Sequence, residues 1–355
     1  MKKLLYILLI PLLVVSLLIP ALGQNEGLEE TLLDMVENNA EGYLGPLVTA
    51  FGTGLNSGTF HNAKPHAILG FDITLNATIT AIPESALEYE FYLPDDLLAL
   101  TVSNPLGGDL DINVALSDIY YTGQKVPTFF GSSDPSRIEV DTDKAYDTII
   151  DEITSATGLA ESVVEASVGS DVSNLVNSSI QPLPGPSGID FPAWPTIMPQ
   201  LAIGLPLGTE IMFRGFAAET PDGDPISFNG FGAKISLSQF IPVPAFPVGI
   251  SAGIYGNKVN LADIVKADNS IFTLQASFSV PVITIYGGLG FESSDMSVSV
   301  KDENDDLLYK FNLEGENQTR TTIGFRLKLA VLSFHADYNA GAYESYTAGI
   351  GLTLR

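Results

Sequence analysis

The chain has 355 residues, 42 acidic against 16 basic side chains, a formal net charge of −26 and no cysteine. That charge argues against a nucleic-acid partner, whose phosphates would be repelled, and the missing thiol excludes both a disulfide framework and a lipid-anchored lipoprotein. Mean hydropathy is nonetheless +0.24, yet no run of about 18 apolar residues, the length of a helical span, follows Gly23.

In chain order, Lys2 and Lys3, an apolar stretch from Leu4 to Leu18, and Ile19-Pro20-Ala21-Leu22-Gly23 predict a signal peptide over 1–23, with small residues at the positions a signal peptidase inspects. Leu28, Leu32, Leu33, Met35 and Val36 then recur at helical spacing, and Tyr43, Leu44, Leu47, Val48 and Phe51 repeat the pattern past Pro46. This spacing predicts two short amphipathic helices, in a segment over 24–65 that either plugs a barrel mouth or lies in the periplasm.

From residue 66 the period changes to two. Ala67, Leu69, Phe71, Ile73, Leu75, Ala77 and Ile79 alternate with Asp72, Thr74, Asn76 and Thr78, and two shorter candidates follow at 87–93 and 110–116. Between 119 and 198 the pattern turns helical around Tyr146, Ile149, Ile150 and Ile153, then proline-rich from Pro182 to Pro199, which marks an insertion. Alternation resumes with strands near 199–206, 209–218, 226–238, 246–257, 269–280, 283–300, 319–330, 332–341 and 345–355. In the last, Tyr346, Ala348, Ile350, Leu352 and Leu354 share one face and Thr347, Gly349, Gly351, Thr353 and Arg355 the other.

One apolar and one polar face per strand, behind a signal peptide, predict an all-β antiparallel transmembrane β-barrel of about 12 strands in the outer membrane, with lipid outside and a polar lumen inside. The competing fold is a soluble β-sandwich, which also buries alternate residues. Tight connections at Pro206-Leu207-Gly208, Pro281-Val282 and Ala330-Val331 fall on the periplasmic side, and longer ones at 218–226, 257–269 and 300–319 outside. The same parity sets the 119–198 insertion outside or in the lumen, and the N-terminal helices in the periplasm.

With the apolar set outward, the lumen is lined by Asp72, Asn76, Arg214, Lys234, Thr273, Gln275, Ser277, Tyr286, Arg326, Lys328, His335, Asp337 and Asn339. Arg326 and Lys328 on one strand face His335 and Asp337 on the next, so cross-strand ion pairs are expected. They would either form a charged constriction or fill a hydrogen-bonded interior. His335 and Asp337 share a face, as a hydrolytic dyad requires, but no nucleophile-elbow motif accompanies them, and no enzyme is expected. His61 and His66 have neither cysteine nor carboxylate beside them in sequence, so no metal site and no cofactor are implied. Carboxylates at Asp222 and Asp224, and at Asp302, Glu303, Asp305 and Asp306, lack the spacing of a calcium loop and are expected to be solvated tips.

Phe51-Gly52-Thr53-Gly54-Leu55-Asn56, Ala63-Lys64-Pro65-His66, Pro127-Thr128-Phe129-Phe130-Gly131, Pro199 through Pro206, and Gly324 through Arg326, Lys328 and His335 to Tyr338 resemble a family of uncharacterised outer-membrane β-barrel proteins. That family is defined by a domain of unknown function and is distantly similar to long-chain fatty-acid transporters. The resemblance implies a porin-like barrel over 66–355, a hatch before Ala67 and a small hydrophobic ligand beside the outer-membrane lipid. Tyr43, Leu44, Leu47 and Phe51 are the expected gate. A channel or transporter is thus the expected function, against a structural or adhesive barrel that presents the 119–198 insertion to a partner.

Overall fold

The computed structural model describes residues 26–95, 97–219, 225–240, 248–261, 264–301 and 307–354. The signal peptide, both acidic loop tips at 222–224 and 302–306, and Arg355 lie outside the described residues.

A single helix α1 (Glu26–Asn56) comes first. The strands follow in chain order as β1 (Phe71–Ala81), β2 (Glu88–Glu90), β3 (Leu97–Ser103), β4 (Asp109–Ala115), β5 (Lys125–Pro127) and β6 (Arg137–Ile138). Helices α2 (Thr142–Thr157) and α3 (Glu161–Asn174) intervene before β7 (Leu183–Pro184), β8 (Ala193–Leu205), β9 (Thr209–Glu219), β10 (Pro225–Ser236) and β11 (Val248–Leu261). The chain closes with β12 (Val265–Ser279), β13 (Ile283–Lys301), β14 (Leu307–Glu314), β15 (Thr319–Leu329), β16 (Leu332–Ala340) and β17 (Ser345–Leu354).

Two units divide these elements. In the first, residues 44–84 and 191–355, ten strands form one closed antiparallel barrel in the order β1, β8, β9, β10, β11, β12, β13, β15, β16, β17 and back to β1. The final strand zips along the first, Phe71 opposite Leu354 and Thr80 opposite Ser345, so these two strands leave no free edge between them. An eleventh strand, β14, pairs only with the outer part of β13, Asp295 through Lys301.

The strand count is therefore ten in the barrel and not twelve. The candidates at 87–93 and 110–116 do alternate, but β2 pairs only with β5 and β4 only with β3, in two-stranded sheets outside the barrel. Period two reports that one face is buried, and a small soluble sheet satisfies it as well as a lipid-facing one. At the other extreme, 257–269 is not a loop, since β11 and β12 run on through it with Lys258 and Asp268 paired at 2.9 Å on the surface. The outward face turns polar there, with Lys258, Lys266 and Asp268 exposed, while Val259, Val265 and Ala267 are buried, so the stretch reads as a polar loop although its alternation continues with the sense reversed. Strand β14 likewise keeps its alternation, with Phe311 and Leu313 buried and Lys310, Asn312 and Glu314 exposed, but it lies in a charged stretch that reads as a loop.

The alternation itself is inverted relative to a soluble protein. On β1, Asp72, Thr74, Asn76 and Thr78 are at most 4% exposed, whereas Ile73, Leu75 and Ile79 are about half exposed at 50%, 49% and 55%. Strand β17 repeats this, with Thr347 and Thr353 buried and Tyr346, Ile350, Leu352 and Leu354 exposed. Buried apolar residues would mark a sandwich core. Here the sheet curls around its polar face.

The second unit, residues 85–190 with the helix up to Tyr43, has a conventional core. Ile149, Ile150 and Ile153 of α2 pack with Val164, Val168 and Val172 of α3 and with Ile112 and Val114 of β4. Asp141 caps α2 by accepting from the Lys144 N–H at 3.1 Å, and Gly158 ends it in the left-handed region at φ 68°, the conformation glycine adopts without cost. The segment outside the barrel thus runs from 85 to 190 instead of 119 to 198, and Trp194 belongs to β8, a barrel strand.

Candidate functional site

Helix α1 does not break at Pro46, so one helix replaces the two expected. Proline there removes one helical hydrogen bond and crowds the preceding turn, at about 3 kcal/mol, and the contacts made beyond it must offset that cost. Those contacts lie in the barrel. Phe51 stacks on Trp194 with ring centroids 4.9 Å apart, and a Cβ on Gly52 or Gly54 would run into Ser294 or Thr196 respectively. Both are glycine because the helix end presses on the wall.

After Asn56 the chain threads the lumen from end to end. Ser57 meets Ser345 at 3.0 Å, Gly58 accepts from the Asn76 amide at 3.1 Å, His61 reaches Asp72 at 3.0 Å, Asn62 accepts from Ser277 at 2.9 Å, and His66 reaches Glu210 at 2.7 Å. Thr80 pairs near the far end of β1 and Asp72 near its start, so the segment runs antiparallel to β1. It enters where the longer connections gather and leaves at the tight-turn end, beside Pro206-Leu207-Gly208. The helix end is therefore opposite to the side on which strand parity had set it, because parity fixes strand directions and says nothing of a segment that precedes the first strand. That parity is itself imperfect: the connection after β10 spans residues 237–247 at the tight-turn end.

Three buried cations hold this segment by its backbone. Arg214 donates from Nη1 to the Leu55 carbonyl and from Nη2 to the Ser57 carbonyl, both at 2.9 Å, and from Nε to Gln200 at 2.8 Å. Arg320 donates to the Thr53 carbonyl at 2.8 Å and the Ser57 hydroxyl at 2.9 Å, and lies 3.2 Å from Glu292. Lys234 donates to the Asn62 carbonyl at 3.0 Å and pairs with Glu210 at 2.8 Å. Each carbonyl thus meets a charge-assisted donor, the stronger kind of hydrogen bond. A void beside Asn56, Gly58, Arg320 and Asp337 is about 10 Å³, room for about one water.

Of the residues expected to line the lumen, Asp72, Asn76, Arg214, Lys234, Thr273, Gln275, Ser277, Tyr286, Arg326, His335, Asp337 and Asn339 are all buried on the inner face. Lys328 is half-buried at the strand's tight-turn end, beside the turn. The cross-strand ion pairs do not form. Arg326 reaches across to Asp72 at 3.3 Å, while Asp337 accepts from the Tyr286 hydroxyl at 2.9 Å and from Asn339 at 2.7 Å. Asp337 faces Gly324 on β15, and the space left by the missing side chain is where the Tyr286 ring sits. With Asp337 so occupied, His335 and Asp337 do not make a dyad. Instead the His335 ring stacks on His61, centroids 4.6 Å apart.

Among the expected gate residues, Leu44 and Leu47 are buried and Phe51 lies on Trp194. Tyr43 belongs to the other unit, where its hydroxyl donates to the Ser187 carbonyl at 2.9 Å and its ring meets the Phe129 edge. Burial pushes the Tyr43 phenol well above its ordinary value. The polar contacts that fill the lumen come from Thr53 to His66, further along. Glu210, Glu292, Arg320, His61 and His66 were not expected in the site. Glu210, Arg320 and Glu292 were legible, since they stand an even number of residues from Arg214, Arg326 and Tyr286 on the same strands; His61 and His66 lie in a segment whose path only the fold reveals.

No group of three or more His, Asp or Glu placed to hold a metal ion occurs among the described residues. A closed antiparallel barrel with apolar exterior, polar interior and its own N-terminal segment threaded through the lumen defines a plugged β-barrel. The chain belongs to a family of unknown function, DUF6588, whose model matches residues 1–354. No curated protein matches it. Among solved structures it is similar to a loop L8 deletion mutant of OmpT, an outer membrane protein of Vibrio cholerae, with 9% identity, 81% of this chain and 99% of that one covered, and a TM-score of 0.24. It is also similar to Salmonella typhi OmpF in complex with daunomycin, with 10% identity, 80% and 97% covered, and a TM-score of 0.23. At TM-scores this low neither likeness bears on fold or function.

Proposed function

We propose that this protein is an outer-membrane transport barrel for small solutes, held shut by its own residues 44–66. The observation that carries this is the inverted barrel: apolar side chains face outward, and the lumen is closed by one continuous segment held to the wall mainly by reversible hydrogen bonds, with a small apolar cluster of Met212, Tyr255 and Ile271 and the Phe60–Tyr286 ring contact inside. A structural barrel could fill its lumen with wall side chains alone. A noncovalent insert that traverses the whole lumen is what a removable plug requires. Lipid is the partner proposed for the outer face, since acyl chains are the environment in which exposed Ile, Leu and Phe cost nothing. The wall is lined with hydrogen-bonding groups, so it supports a small polar solute better than the hydrophobic cargo implied by the transporter resemblance. No catalytic role is assigned to His335 or Asp337.

Deleting residues 24–65 removes the insert and solvates the buried cations. Single-channel recordings in planar bilayers should then show a conductance at least about tenfold above that of the full mature chain, as expected when an occluded pore becomes an aqueous one. A barrel that stays non-conducting after this deletion would favour the structural or adhesive reading, which the separately cored unit over 85–190 supports.

A further inference from the structure

All three histidines of the chain meet in one place. His61 and His66 arrive on the threaded segment and His335 on β16. The His61 and His335 rings are stacked, their planes 26° apart, and each is at most 6% exposed. His335 Nδ1, His335 Nε2 and His61 Nδ1 have no hydrogen-bond partner among the described residues. A neutral imidazole carries one N–H and one lone pair, so this stack offers open nitrogens to a proton in a buried site.

The surrounding charges come from every wall that faces the stack. Asp72 stands on β1, Glu210 and Arg214 on β9, Lys234 on β10 and Arg326 on β15, while Asp337 on β16 is occupied by Tyr286 of β13 and by Asn339. Asp72 already serves Arg326 as well as His61 through the same oxygen, and Glu210 is shared by Lys234 and His66. Neutral, the two rings pack as aromatics. Protonated, they become two like charges in contact, and the nearest carboxylate, Asp72, keeps an unpartnered Oδ1 but carries a single charge that Arg326 already shares.

We propose that the His61–His335 stack is an acid-sensitive latch, closed while both rings are neutral and opened by their protonation, which frees Leu55 to His66 from the lumen wall. It rests on the plugged-barrel reading for its consequence in transport, and on the stack for its mechanism. The seated stack holds two rings in contact that repel when both are charged, whereas a released and solvated His61 takes up a proton near the ordinary imidazole value of about 6.5. Seating is fully held above that value and weakens as pH falls through it, by up to about tenfold per pH unit for each proton taken up.

The test uses the full mature chain in lipid bilayers, at about pH 7.5 and about pH 5, either side of the ordinary imidazole value. Amide hydrogen exchange of residues 55–66, corrected for the intrinsic pH dependence, should rise at least about tenfold on acidification, and channel opening should rise with it. His335→Phe should lose both responses. Ser57→Cys with Ser345→Cys, at hydroxyl positions 3.0 Å apart in a chain without cysteine, should suppress both when oxidised and restore them on reduction. Acid-independent exchange, an equal response in His335→Phe, or a response that survives the oxidised cross-link would each overturn the latch. Acid-dependent exchange with no conductance at either pH would support the latch and overturn the transport reading. Conductance that is equal at both pH values, with exchange unchanged, would overturn the latch and leave that reading standing.

Discussion

Arg320 shows how one side chain can fix a plug. It is 2% exposed, its partner Glu292 is fully buried, and its two terminal nitrogens reach the Thr53 carbonyl and the Ser57 hydroxyl. Substituting Arg320→Met keeps much of the volume but leaves Glu292 with only the Asn56 amide, at 3.1 Å. Breaking a buried pair from one side costs about 3–5 kcal/mol, because an uncompensated charge remains. The urea midpoint of the detergent-solubilised protein should fall accordingly, and an unchanged midpoint would show that water already reaches Glu292. At this scale strand parity alone identified Arg214, Arg326, Asp72 and Gln275 as inward-facing. Their partners were not legible, since Arg326 bypasses the neighbouring strand for a carboxylate on β1, and the His61 ring arrives from a segment with no period of its own.

The element most at odds with its local sequence is α1. Pro46 interrupts the pattern that predicts it, and a sequence that breaks a local rule is paid back elsewhere in the fold. Here the return comes from the last turns, where Thr49 and Thr53 accept or share hydrogen bonds with Asn317 and where Gly52 and Gly54 let the helix touch β8 and β13. Gly52→Leu should therefore unseat the helix end, although leucine is the better helix former by about 0.8 kcal/mol or more. The measurement is protease sensitivity of residues 44–66 in otherwise heat-stable barrels; protection equal to wild type would mean that the helix end does not rest on Ser294. The barrel strands were legible wherever one face met an apolar environment, as in β1 and β17. In the outer parts of β11 and β12, and in β14, the alternation continues with the polar face outward, as at Lys258, Asp268, Lys310 and Asn312, so these stretches read as polar loops although the hydrogen-bond ladder runs on.

For the whole molecule, the decisive property is which face of the sheet is apolar. Exposed Ile79, Ile254, Leu289, Phe325 and Ile350 would form a large uncovered patch on a soluble protein, far beyond what such surfaces carry. In the proposed membrane setting they would face acyl chains, where their exposure carries no cost, and the hydrogen-bonded lumen would supply the barrel's specificity. A hydropathy pattern states that one face of each strand is apolar; that this face points outward is read from the burial of the polar face in the fold. Strand number does not follow from the pattern, because small two-stranded sheets in the 85–190 unit mimic the same alternation.

The absence of cysteine makes this claim open to direct measurement. Single cysteines placed in turn from Ser345 to Leu354 can carry a nitroxide label in reconstituted bilayers, and their collision rates with oxygen and with a water-soluble nickel complex can be compared. Positions 346, 348, 350, 352 and 354 should be accessible to oxygen and shielded from nickel, alternating with 345, 347, 351 and 353, which should be shielded from both while the plug is seated. Uniform accessibility along the strand, or nickel contact at the apolar positions, would contradict a lipid-facing barrel.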